Sequence, residues 1–116
     1  ILSKHLTRPI TLAEKAKGLK IMLSANKPSA ASFDVYFRTN STGGRLLDKD
    51  YTLITPEEAM PSDDTSGVFR DYRYLAGGIG GTLDDFDQFQ LKIVMKSTNS
   101  SKVPRFADLR AIALTV

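Results

Sequence analysis

The sequence predicts an all-β fold, an antiparallel β-sandwich that is jelly-roll-like and contains at most one short helical turn. Three observations carry this. Apolar residues recur at alternate positions through several segments of about six to nine residues, the period of a strand with one buried face. Turn-rich stretches separate these segments, and the helical signals between them are too short for the crossovers that a parallel sheet requires. Hydrophobic residues make up 41% of the chain and charged residues 25%, close to the average of folded domains. A length of 116 residues suffices for one core and is too short for two ordinary domains. Residues 1–116 are therefore read as a single domain, and a chain that opens on Ile1 is expected to be a fragment or processed product of a longer one.

Taken in order, Leu6, Arg8, Ile10 and Leu12 share one face of a first strand, but Pro9 has no N–H to donate and confines it to a sheet edge or a bulge. Thr11-Leu12-Ala13-Glu14 has the spacing of a capping box, yet Gly18 follows within two turns. A tight connection or a single helical turn is expected there, because a helix that short is marginal. Leu19, Ile21, Leu23 and Ala25 occupy alternate positions of the next strand, Asn26-Lys27-Pro28-Ser29 supplies a turn, and Phe33, Val35 and Phe37 form the inward face of a neighbouring strand. Thr55 to Met60 offers a cap, a proline at the first helical position and two early glutamates, a single turn that Pro61 ends. Val68 to Leu75 is a candidate strand, and Gly77-Gly78-Ile79-Gly80-Gly81 is a loop that calls for positive backbone dihedrals. Phe89, Leu91, Ile93 and Met95 alternate with Gln88, Gln90, Lys92 and Lys96 in the cleanest strand. Asp108 to Val116 is apolar on both faces and is expected to lie centrally. The predicted core is Leu19, Ile21, Leu23, Phe33, Val35, Phe37, Phe89, Leu91, Ile93 and Ile112.

Composition removes several chemistries. Sixteen Lys and Arg against thirteen Asp and Glu give a net charge of +3, but the cations are scattered, so no nucleic-acid partner is expected. No apolar run approaches the roughly 20 residues of a membrane-spanning helix, and no membrane insertion is expected. The absence of cysteine excludes a disulfide framework or a thiol nucleophile, and His5, the single histidine, cannot build a histidine metal cluster. Gly43-Gly44 and the second glycine run lack the lysine and following helix of a phosphate loop, and no serine stands in Gly-x-Ser-x-Gly. Asp48 and Asp50, Asp63 and Asp64, and Asp84, Asp85 and Asp87 could offer oxygen ligands to a structural calcium; none has EF-hand spacing, and solvated loop carboxylates are the preferred reading. No catalytic residue and no cofactor are assigned, and the domain is expected to be non-enzymatic. The remaining candidates for a contact surface are Tyr36, Arg38, Arg70, Tyr72, Arg73 and Tyr74. Tyrosine beside arginine suits a sugar-stacking platform, a subunit interface or core packing, and the lack of tryptophan weakens the first.

Five phrases in order span nearly the whole chain: Leu6-Thr7-Arg8-Pro9-Ile10-Thr11-Leu12-Ala13, Leu19-Lys20-Ile21-Met22-Leu23-Ser24-Ala25-Asn26-Lys27-Pro28, Phe33-Asp34-Val35-Tyr36-Phe37-Arg38, Phe89-Gln90-Leu91-Lys92-Ile93-Val94-Met95, and Pro104-Arg105-Phe106-Ala107-Asp108-Leu109-Arg110-Ala111-Ile112-Ala113-Leu114. In this order they resemble a β domain of virion structural proteins in T4-like myoviruses, especially marine and cyanobacterial phages. The resemblance implies a tail, baseplate or fibre module located in the virion, acting in assembly or host attachment, with other virion proteins as partners. It brings no catalytic residues. It also implies self-association of the full-length protein, with only weak association of this chain, through Tyr36 and Arg38, the Phe69 to Tyr74 segment, or Ile1 and Leu2. A host-surface glycan is a further partner under this reading, and a carbohydrate-binding β-sandwich module is the alternative.

Overall fold

The computed structural model describes residues 2–41, 44–56, 68–77, 83, 85–97 and 104–114. Eight strands are formed among them: β1 Leu2–Leu6, β2 Ile10–Ala16, β3 Gly18–Asn26, β4 Ala31–Asn40, β5 Thr52–Ile54, β6 Arg70–Gly77, β7 Phe86–Ser97 and β8 Arg105–Leu114, with a 3-10 turn at Leu46–Asp48. Every strand pairing is antiparallel. One sheet has the order β1-β7-β4-β5, with β2 also pairing β7; the other has the order β6-β3-β8. The alternation explains how they pack. Leu19, Ile21, Leu23 and Ala25 of β3 meet Phe33, Val35 and Phe37 of β4 and Phe89, Leu91 and Ile93 of β7 in one buried cluster. Phe33 is the cross-sheet anchor. Its ring meets Tyr72 at 5.1 Å and Phe106 at 5.2 Å, both edge-on, an arrangement that adds about 0.5–1.5 kcal/mol per pair beyond burial. The all-β sandwich expected from the sequence is the fold observed.

Pro9 acts as expected, dividing the edge of the larger sheet into β1 and β2. The gap is sealed by Thr7, whose N–H donates to the Leu91 carbonyl at 3.0 Å while its hydroxyl accepts from the Leu91 N–H at 3.0 Å. Thr11 to Lys17 is not the tight connection or helical turn expected. Thr11 to Ala16 belong to β2, pairing Thr11 with Gln88 and Ala16 with Phe86 around an irregularity. β1 covers β7 only from Lys92 to Lys96, and the remaining edge of that long strand recruits β2, so tertiary pairing overrides the local capping signal. β3 and β4 are neighbours in sequence but lie in different sheets. The Ala31 N–H donates to the Pro28 carbonyl at 3.0 Å in the turn that carries the chain across.

β8 corrects the sequence reading most. It is an edge strand, and Ile112, expected in the core, is 47% exposed. The cause is a bulge: Phe106 faces Ala25 and Asp108 faces Ser24, leaving Ala107 as an extra residue. Past the bulge the phase of alternation is inverted. Phe106, Leu109, Ala111 and Ala113 consequently all pack toward the core, while Ile112 joins Lys20 and Leu75 in one outward row. The apolar character of both faces reports this outer patch, not a central position.

On the opposite side of the molecule the two sheets are tied by backbone, through an isolated bridge between Pro56 and Tyr74. The turn expected over Thr55 to Met60 runs into residues 57–60, outside the described residues. Of the glycine loop, Gly77 is described, and its φ of +68° fits the positive dihedral expected. A Cβ there would collide with the Lys17 carbonyl oxygen and the Leu83 side chain.

Candidate contact face

Because β4 and β7 bury one set of alternate residues, the other set lines the outer face of the larger sheet. The register places Tyr36 opposite Lys92, Arg38 opposite Gln90, and Asn40 opposite Gln88. The 3-10 turn and the chain leading to β5 bring Tyr51 beside them. Lys92 Nζ lies 4.7 Å from the Tyr36 ring centre and 4.4 Å from that of Tyr51, and the Arg38 guanidinium lies 4.5 Å from the Tyr51 ring. Each cation thus rests on the negative face of an aromatic ring. Arg38 is held from three sides: its Nε and Nη2 donate to Gln90 Oε1 at 2.9 and 2.5 Å, and its Nη1 donates to the Lys49 carbonyl at 3.3 Å.

The lattice continues outward. Gln90 Nε2 donates to the Thr7 carbonyl at 2.8 Å, Asn40 Nδ2 donates to Gln88 Oε1 at 2.9 Å and to the Gly44 carbonyl at 3.0 Å, and Gln88 Nε2 donates to Thr11 Oγ1 at 3.3 Å. At the other end Lys96 donates to Asp34 Oδ2 at 2.6 Å, and this bond holds the lysine ammonium above its ordinary range. In the rows from Asn40–Gln88 to Ser32–Lys96, with the adjoining Lys4 of β1, the cations are Lys4, Arg38, Lys92 and Lys96 and the carboxylate is Asp34. The face is therefore basic, aromatic and rich in fixed amides. It can offer an anionic partner charge-assisted hydrogen bonds from side chains whose positions are already set.

The six residues singled out in the sequence separate into distinct places. Tyr36 and Arg38 lie together on this face. Arg73 is exposed on the outer face of the smaller sheet, opposite Met22, and Arg70 is exposed at the start of β6. Tyr72 and Tyr74 are core residues, 3% and 1% exposed, so neither forms a stacking platform or a contact surface. Their β3 partners in the ladder are Leu23 and Ile21, which fixes their rings on the inward face. Sequence reasoning missed Tyr51, Asn40, Gln88, Gln90 and Lys92. The last three were visible as the polar phase of β7, but only the pairing with β4 places them beside Tyr36 and Arg38. Among the acidic groups, Asp48 and Asp50 are exposed and Asp85 lies 3.7 Å from Lys17, while residues 63, 64 and 84 are outside the described residues. Among the described residues no three acidic or imidazole side chains gather into a metal-binding group. No protein-family model, curated protein or solved structure matches the chain.

Proposed function

We propose that this domain is a non-enzymatic structural or attachment module of a phage particle, docking on another virion protein through the outer face of its larger sheet. One observation supports the contact role above the rest: the linked set of Tyr36, Tyr51, Arg38, Lys92 and Gln90, which combines the side chains enriched at protein interfaces with a basic charge. The placement in a virion rests on the ordered sequence phrases. Carbohydrate binding is the alternative, and the same geometry weighs against it, because Lys92 lies over the ring faces on which a sugar would stack. Photo-cross-linking from position 36 of the intact gene product, in assembled particles, tests the proposal. A cross-link to a second virion protein, weakened by Lys92→Ala, is expected. A particle that lacks the chain by mass spectrometry would overturn the virion role. Glycan-array binding that is lost in Tyr36→Ala would replace protein docking with sugar recognition.

A further inference from the structure

The two sheets are unequal in width. The larger is four strands across, β1 or β2, then β7, β4 and β5, whereas the smaller has three. The backbone bridge between Pro56 and Tyr74 aligns them on the β5–β6 side, so the missing strand falls on the other side, between β8 and β1. A groove of about 320 Å³ lies there, lined by His5, Leu23, Ile93, Met95, Phe106 and Leu109. It is mostly apolar, and His5 stands at its exposed rim on the inward side of β1, opposite Ile93 in the ladder. β8 borders this groove from Phe106 to Leu109 and, among the described residues, pairs only with β3, so no described strand takes up the backbone donors and acceptors of its other edge.

We infer that the β8 edge and the adjoining groove form a strand-addition site, which takes an extended segment of a partner polypeptide as the fourth strand of the smaller sheet. Alternate residues of that segment enter the groove, so its chemistry is an unbroken extended run, free of proline, with apolar residues at every second position. A second copy of this chain fits less well. Flush β8-to-β8 pairing would bring two β1 strands, each extending past β8, into the same space, and the bulge at Ala107 limits matched faces to a short stretch. Nor does Arg110 favour it, since pairing centred on that residue sets like charges opposite each other. This site lies apart from the Tyr36 face and does not depend on that reading.

The test uses a peptide of alternating valine and threonine with lysines at both ends, long enough to run along β8, and a variant interrupted by proline. Binding is followed by amide exchange in nuclear magnetic resonance. The expected result is slowed exchange at alternate amides between Arg105 and Leu114, no binding of the proline variant, and binding weakened at least about tenfold by His5→Trp, which plugs the groove mouth. Tyr36→Ala should leave this binding unchanged. Because His5→Trp could disturb folding, the proline-interrupted peptide on the unaltered protein is an independent control. No binding, binding that leaves β8 amides unprotected, or a free protein already dimeric with those amides protected would each overturn the inference.

Discussion

At Gly77 the backbone φ of +68° and the nearness of the Lys17 carbonyl and Leu83 leave no room for a side chain. Gly77→Ala combines a left-handed residue with a steric collision, and a stability loss of about 1–3 kcal/mol in denaturant unfolding is expected. A neutral result would mean that the turn rebuilds itself. Tyr74 makes a different prediction. Burial keeps its hydroxyl protonated well above the ordinary phenol range, with the charges of Asp34 and Tyr72 adding to the effect. The unfolded chain releases this proton near the usual value of 10.0, while the folded chain holds it. The resulting stabilisation is whole below that pH and declines as the pH rises past it. Melting temperatures measured in steps above pH 10 should therefore fall, and Tyr74→Phe should flatten the fall; an unchanged slope would discount burial of this phenol as a cause.

Among the elements, β8 shows how one inserted residue redirects a strand. Deleting Ala107 would leave Phe106 opposite Ala25 and on the same inward face as Leu109, so the bulge is lost while the aromatic contact with Phe33 is kept. A melting temperature close to that of the unaltered chain is expected by circular dichroism, whereas Phe106→Ala, which removes the contact, should lower it. The same phase inversion separates two isoleucines that the sequence treats alike. Ile93→Ala removes a 3% exposed core residue and should cost about 2–5 kcal/mol, whereas Ile112→Ala on the outer row should stay within about 1 kcal/mol. β3, β4 and β7 were legible because the apolar residues of Leu19–Ala25, Phe33–Phe37 and Phe89–Ile93 fall at alternate positions, and this period survives any pairing. β2 was not, since its strand state is imposed by the exposed edge of β7, which no local window contains. The face built on Tyr36 and Arg38 was half legible for a related reason. Its side chains come from strands far apart in the sequence, and register, not composition, unites them.

For the whole molecule, closure on one flank and openness on the other predict an order of local stability. β3, β4 and β7 are flanked by strands on both sides, while β1 and β8 lie at the open flank. Native-state hydrogen exchange should be slowest in the first three and faster in the last two, because edge groups open without unfolding the core. Uniform protection across all strands would show that the sandwich opens only as a unit. Under the proposed virion role, the open flank between β1 and β8 is the side that a neighbouring protein would cover.

The hold on Arg38 has a consequence for the thermodynamics of any contact it makes. A free arginine on a surface gives up rotamer entropy when a partner immobilises it, a loss of about 0.5–1.5 kcal/mol for such a side chain. Here Gln90, Tyr51 and the Lys49 carbonyl already confine it, so that loss falls in folding and is absent from association. Lysine in its place would keep the charge but lose the planar fork, and would bring its mobility back into the binding step.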